Sequence, residues 1–154
     1  MANDTAYLAI FDGATSSLSP EPTSIKFSSA LDPGPRLIAL RDDVMRIIKG
    51  NEVSAVVVLL PESNYSMPYA KAVDRASLET LILLAAAECD ISFRRVSRPR
   101  LRAELEISRS GKLAEIADGF QEAVGASWRG KRSLAALAAR IAGGDQQWLS
   151  AVNY

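Results

Sequence analysis

Residues 53–60 read VSAVVVLL, eight positions without a charge, closed by Pro61 and Glu62. A run this short, rich in Val and Leu and bounded by turn formers, suits a β-strand covered on both faces, as in a parallel sheet, and is too short for a long helix. Directly before it Leu37, Leu40, Val44, Ile47 and Ile48 recur at helical spacing, and Gly50 stands where a glycine C-cap belongs. Helix, tight turn and buried strand make an α/β layer, with this strand expected at or near the centre of the sheet. In such sheets the carboxyl end of the strand opens onto the usual site, which directs attention to Pro61, Glu62 and Ser63.

The flanking segments repeat the alternation. Residues 7–11 (YLAIF) form a first strand, ended by an Asp12-Gly13 turn, and residues 23–27 form a short strand of an antiparallel ribbon. Asp32 before Pro33 serves as N-cap of the helix over 37–49. A longer helix covers 70–88, with Val73, Leu81, Leu84 and Ala85 to Ala87 facing inward or toward a partner. A strand follows at 91–96, and Pro99 opens a short basic turn or helix. Leu113, Ile116, Ala117, Phe120 and Val124 mark a third helix, and Leu134, Leu137, Ala138 and Ile141 a last one stopped by Gly143-Gly144. This places one domain over residues 1–144 and a C-terminal tail over 145–154.

Several function classes are excluded by composition. With 154 residues, one domain can bury a sizeable core without covalent staples. A single cysteine, Cys89, and no histidine rule out an internal disulfide, a multi-cysteine zinc site and the usual general base. Cys89 ends a helix in apolar surroundings and reads as a buried structural thiol. No stretch has the ~20 apolar residues that span a bilayer, so no membrane partner is expected and the chain reads as cytoplasmic and soluble. The formal net charge is zero, yet residues 1–90 hold 7 basic and 12 acidic side chains and residues 91–154 hold 11 and 6. The −5 and +5 halves fit either an anion-binding surface or solvated helix charges.

The order of these elements resembles the RuvC-type Holliday-junction resolvases of the RNase H-like superfamily. The strings that carry it are RLIALRDDVMRIIKGNEVSAVVVLLPE, SLETLILLAAAECDISFRRVSRPRLRAEL and SGKLAEIADGFQEAVG. The resemblance runs from about residue 7 to 143 and implies an α/β fold, an RNase H-like mixed sheet with helices on both faces. It also implies a homodimer, for which the Ala-rich second helix is a candidate interface. In that family an acidic cluster binds two Mg²⁺ ions that position water and stabilise the leaving oxygen of a phosphodiester.

This chain departs from the family at those acids. The first aspartate is expected where Phe11 stands, and Asp12 follows one residue late. In a strand that shift turns the side chain to the opposite face, so Asp12 is either a turn residue or, if the strand bulges, a relocated ligand. The second acid is expected at Leu59 or Leu60, with Glu62 beyond it either a surface glutamate or a loop-borne substitute. Before the last helix, where further acids belong, the chain reads Trp128-Arg129-Gly130-Lys131-Arg132-Ser133, and no Asp or Glu lies between Glu122 and Asp145. Cations there repel Mg²⁺, so the two-metal mechanism is expected to be lost and no metal or other cofactor is assigned. Glu115 and Asp118 read as a solvated helix face.

Phosphate affinity is the property left to carry a function. Arg94, Arg95, Arg98, Arg100 and Arg102 place five arginines within nine residues, Arg109 and Lys112 extend the run, and Arg129, Lys131 and Arg132 form a second patch. Arginine clusters grip phosphates bidentately, although Glu104 and Glu106 could instead pair with some of them. Three readings stay open. The first is a catalytically degenerate RuvC-like protein that binds nucleic acid, DNA before RNA, with branched DNA among the candidates. The second is a Mg²⁺-dependent endonuclease with Asp12 and Glu62 as relocated catalytic acids. The third is a protein-interaction or assembly module that keeps only the fold.

Overall fold

In a computed structural model the described residues are 5–12, 14, 17–19, 23–26, 32–62, 66–120 and 130–151. The chain opens with an antiparallel ribbon in two parts: β1 (Thr5–Leu8) pairs with β4 (Thr23–Lys26), and β2 (Phe11–Asp12) with β3 (Ser17–Leu18). Leu8 lies opposite Thr23 and Phe11 opposite Leu18. Two residues thus separate the first members and four the second, so the register slips between the pairs, and the strand expected unbroken over 7–11 is interrupted at Ala9 and Ile10.

Helix α1 (Pro33–Gly50) starts as expected, with Asp32 at the N-cap and proline in the first turn, although the Asp32 side chain makes no capping hydrogen bond. Its buried stripe is Leu40, Val44 and Ile48, while Leu37 is exposed. The C-terminus corrects the sequence reading. Gly50 is still helical, and the left-handed residue is Glu52, at φ 50°. The Val53 N–H donates to the Ile48 carbonyl at 3.0 Å and the Glu52 N–H to the Lys49 carbonyl at 3.4 Å, which is the Schellman arrangement.

The same device ends two further helices. After α2 (Tyr69–Glu88), Asp90 has φ 56° and the Ile91 N–H reaches the Ala86 carbonyl at 3.0 Å. After α3 (Arg98–Glu104), Glu106 has φ 54° and the Ile107 N–H reaches the Arg102 carbonyl at 2.8 Å. Each time an acidic residue takes the left-handed position and the next residue, Val53, Ile91 or Ile107, packs against a core cluster. Burial of that β-branched residue fixes the turn despite the absence of glycine.

β5 (Ala55–Leu59) runs parallel to β6 (Ser92–Val96), with Val57 level with Arg94. Its alternating side chains serve two cores. Val56 and Val58, with Phe93 of β6, join Leu40, Val44, Leu78 and Ile82 of α1 and α2. Val57 and Leu59 join Val96, Leu101 of α3, Leu113 and Ala117 of α4 (Leu113–Phe120), and Leu137 and Ile141 of α5 (Lys131–Ala151). Helices therefore cover both faces, as the resemblance implies. β5 is nevertheless only half-buried, because among the described residues it pairs with β6 alone and makes no ladder with β1.

Two helix assignments shift as well. The inward stripe of α2 is Leu78, Ile82, Ala85 and Ala86, whereas Val73 and Leu84 are exposed. α5 does not stop at Gly143-Gly144 but continues to Ala151, into the segment read as a tail. For α4, the expected continuation to Val124 lies outside the described residues.

Replacing Glu52 with glycine removes the Cβ penalty of a left-handed residue and a negative charge from a helix C-terminus. We expect Glu52→Gly to raise unfolding stability by about 0.5–1 kcal/mol, read as a higher urea midpoint with an unchanged m-value. A lower midpoint would show that the Glu52 side chain holds the turn.

Candidate functional site

The missing ladder between β1 and β5 leaves a cleft of about 1190 Å³. One wall is the ribbon from Ala6 to Asp12, the other the segment from Val53 to Glu62, and α2 and α5 contribute further residues. Phe11, where the resemblance expects the first carboxylate, and Leu59 and Leu60, one of which stands where it expects the second, all line it. Asp12, Glu52, Glu62, Arg75, Glu79, Arg98 and Lys131 supply its charged groups.

Asp12 and Glu62 thus share one cleft, but each carboxylate is engaged. Asp12 is exposed and its Oδ1 accepts the Ala14 N–H at 2.9 Å, closing its own turn. Glu62 Oε1 accepts from Arg98 Nη1 at 2.8 Å. Among the described residues no group of three acidic or cysteine side chains is placed to hold a metal ion. Two separately occupied carboxylates beside Lys131 do not fit the two-metal centre that the resemblance implies.

Arg75 and Glu79, which sequence reasoning missed, organise the deeper part. Arg75 Nη2 donates to the Leu59 carbonyl at 2.9 Å and Arg75 Nε to Glu79 at 2.7 Å. Arg95 reaches the other Glu79 oxygen at 3.3 Å and lies over the Phe93 ring, 5.8 Å from its centroid. The Glu79 side chain is only 12% exposed. A signal was present: Arg75 and Glu79 stand four residues apart on the stripe completed by Leu78, Ile82 and Ala86, so the charges interrupt an inward apolar face.

The arginine run divides by partner. β6 alternation sends Arg95 toward α2 and Arg94 toward α3 and α5, where Arg94 meets both Glu104 oxygens at 3.2 and 2.8 Å and the Ile141 carbonyl at 3.1 Å. Arg100 Nε also donates to Glu104, at 2.8 Å. Arg102 is turned onto the backbone carbonyls of Ser108, Ser110 and Gly111, so it ties down the loop after α3. Arg98 makes the pair with Glu62, and its buried Nε has no hydrogen-bond partner. Arg109 is exposed and Lys112 pairs with Glu115 at 3.2 Å. Lys131 begins α5 and lines the cleft, while Arg132 lies over the Tyr7 ring, 5.8 Å from its centroid. Arg129 and the Asp118 side chain lie outside the described residues.

With this geometry in place, comparison with known proteins adds the fold. No protein-family model matches the chain, and no curated protein does. Solved structures do match, among them Thermus thermophilus RuvC in complex with Holliday junction substrate, at TM-score 0.69 and 16% identity over 96% of this chain and 89% of that one, and the Thermus thermophilus RuvC structure, at TM-score 0.68 and 16% identity over 97% and 91%. The fold is RuvC-like. The expected RNase H-like α/β architecture is present, and the cleft runs along β5 to the residues past its carboxyl end.

Glu104 supplies a pH test of the electrostatics. Burial alone raises its carboxyl, but the hydrogen bonds and charges of Arg100 and Arg94 outweigh that and bring it below its ordinary 4.5. A lowered folded pKa means that the stabilisation is full above the unfolded value and is lost as pH falls through the folded one. Glu104→Gln should therefore destabilise the protein at neutral pH and flatten the loss of stability below pH about 4.5, measured by urea unfolding across pH. Parallel stability curves for the two proteins would sink this account.

Proposed function

We propose that this is a catalytically degenerate RuvC-like protein that binds nucleic acid, DNA with branched forms as the first to test, in a cytoplasmic setting. The observation that carries the reading is the cleft itself. Where the resemblance expects carboxylates it presents Phe11, and Leu59 or Leu60, and among the described residues its acids are spread along the cleft rather than gathered into a cluster, while Arg98 and Lys131 line the same cleft. Without an acidic cluster a divalent cation has no seat, and the two cations offer contacts to phosphate. The RuvC structure in complex with a Holliday junction substrate supports branched DNA as the ligand class.

Binding should weaken steeply with salt, and Lys131→Gln should reduce the slope of log affinity against log salt by about 0.9 on duplex DNA. A fluorescence-anisotropy titration at several salt concentrations checks this, and absence of binding to duplex, single-stranded and four-way DNA at low salt sinks the reading. No Mg²⁺-dependent cleavage of those DNAs is expected. Cleavage that disappears in Asp12→Asn would instead establish the relocated nuclease of Asp12 and Glu62.

A second reading, a homodimer or assembly module, is favoured by α2. Tyr69, Val73, Ala76, Leu83, Leu84 and Ala87 are all exposed on it, with Tyr69 at 85%. Tyr69, Val73, Ala76, Leu83 and Ala87 follow steps of four, three, seven and four, the pattern of a helix–helix seam with Leu84 beside it, and a two-fold axis would place the stripe against its own copy. Sedimentation velocity should give a dimer for the native chain and a monomer for Leu83→Glu combined with Leu84→Glu. Equal masses would remove α2 as the interface.

A further inference from the structure

The three glutamates that neutralise the arginine run are not equivalent. Glu79 is held by Arg75 and Arg95, and Glu104 by Arg94 and Arg100, so each bridges two guanidinium groups. Their side chains are 12% and 27% exposed. Glu62 is 56% exposed and meets Arg98 alone, through one oxygen and one nitrogen at 2.8 Å. Arg98 is therefore held at a single point, one Nη1–H to one Glu62 oxygen. The two Nη groups of a guanidinium present an end-on fork, and two oxygens of one phosphate fill such a fork where the single Glu62 oxygen does not.

We infer that Arg98, with Lys131 on the same cleft, is the seat of one backbone phosphate of the bound nucleic acid, and that Glu62 is a carboxylate stand-in which the phosphate displaces. This rests on the nucleic-acid reading above and adds to it a residue that restrains binding. The exchange is feasible because a solvent-exposed, single-point ion pair is weakly held, whereas a bidentate charge-assisted pair is stronger. Glu79 and Glu104 do not exchange, since two arginines and burial hold each of them. Displaced Glu62 also leaves a negative charge near the phosphate, so the native chain binds below the limit its cations allow.

The test is a double-mutant cycle of Glu62→Gln and Arg98→Gln, with Glu106→Gln as a control that removes one negative charge away from the cleft. Labelled duplex and four-way DNA are titrated by anisotropy at several salt concentrations, and far-UV circular dichroism confirms that each variant is folded. Glu62→Gln should bind roughly threefold to tenfold more tightly than the native chain, with a steeper salt slope, and the gain should vanish once Arg98 is also replaced. Glu106→Gln should gain less. If the native chain binds but Glu62→Gln binds no better, or its gain survives without Arg98 or is matched by Glu106→Gln, the displacement mechanism is wrong while the nucleic-acid reading stands. If neither native chain nor Glu62→Gln binds at low salt, both are wrong.

Discussion

The structure depends on one strand that is apolar on both faces. β5 sends Val56 and Val58 into the core under α1 and α2, and Val57 and Leu59 into the core under α3, α4 and α5. Neither cluster is complete without it. A full-length ladder on both edges would bury such a strand throughout, yet among the described residues β5 is paired with β6 alone and is half-buried along its length. The cleft is what the unpaired edge leaves, so the same residues that join the two cores also form a wall of the candidate site.

Charge is arranged around that strand in two regimes. Arg75 and Glu79 are 15% and 12% exposed on the inward stripe of α2, and their contact with the Leu59 carbonyl fixes the end of β5. Removing one partner of a pair buried this far costs about 3–5 kcal/mol, because the other charge is stranded. Nearer solvent the Arg98–Glu62 pair has no such hold. The run of arginines is thus not one surface: Arg94, Arg95 and Arg102 hold β6 and the following loop in place, and Arg98 stands at the cleft.

Fold class was readable in the sequence because it rests on periodicity. VSAVVVLL and the stripe Leu40, Val44, Ile48 are found as strand and helix, although the strand is half-buried and, among the described residues, paired with β6 alone rather than central. What failed was what periodicity does not encode. Gly50 looked like the cap, but Glu52 takes the left-handed turn because Val53 is drawn into the core. Gly143-Gly144 looked like a stop, but α5 runs through both. At the site, Asp12 and Glu62 were identified from position and do share the cleft. The choice among Glu62, Glu79, Glu104 and Glu106 as partners of the arginines depends on distances between segments far apart in the chain, and the sequence reading weighed only Glu104 and Glu106.

The open edge also bears on the unequal solvent exposure of the two ion pairs that line the cleft. The Leu60 N–H bonds to the Val96 carbonyl at 2.9 Å, so even-numbered residues of this stretch direct their backbone groups at β6. In a parallel ladder the odd-numbered residues then direct theirs the opposite way, toward the cleft. Arg75 satisfies the Leu59 carbonyl, which ties α2 to the end of β5. Glu79 and Glu62 both line the cleft, but at 12% and 56% exposure they sit in different dielectric surroundings, so the attraction between Glu62 and Arg98 is the more strongly screened by solvent.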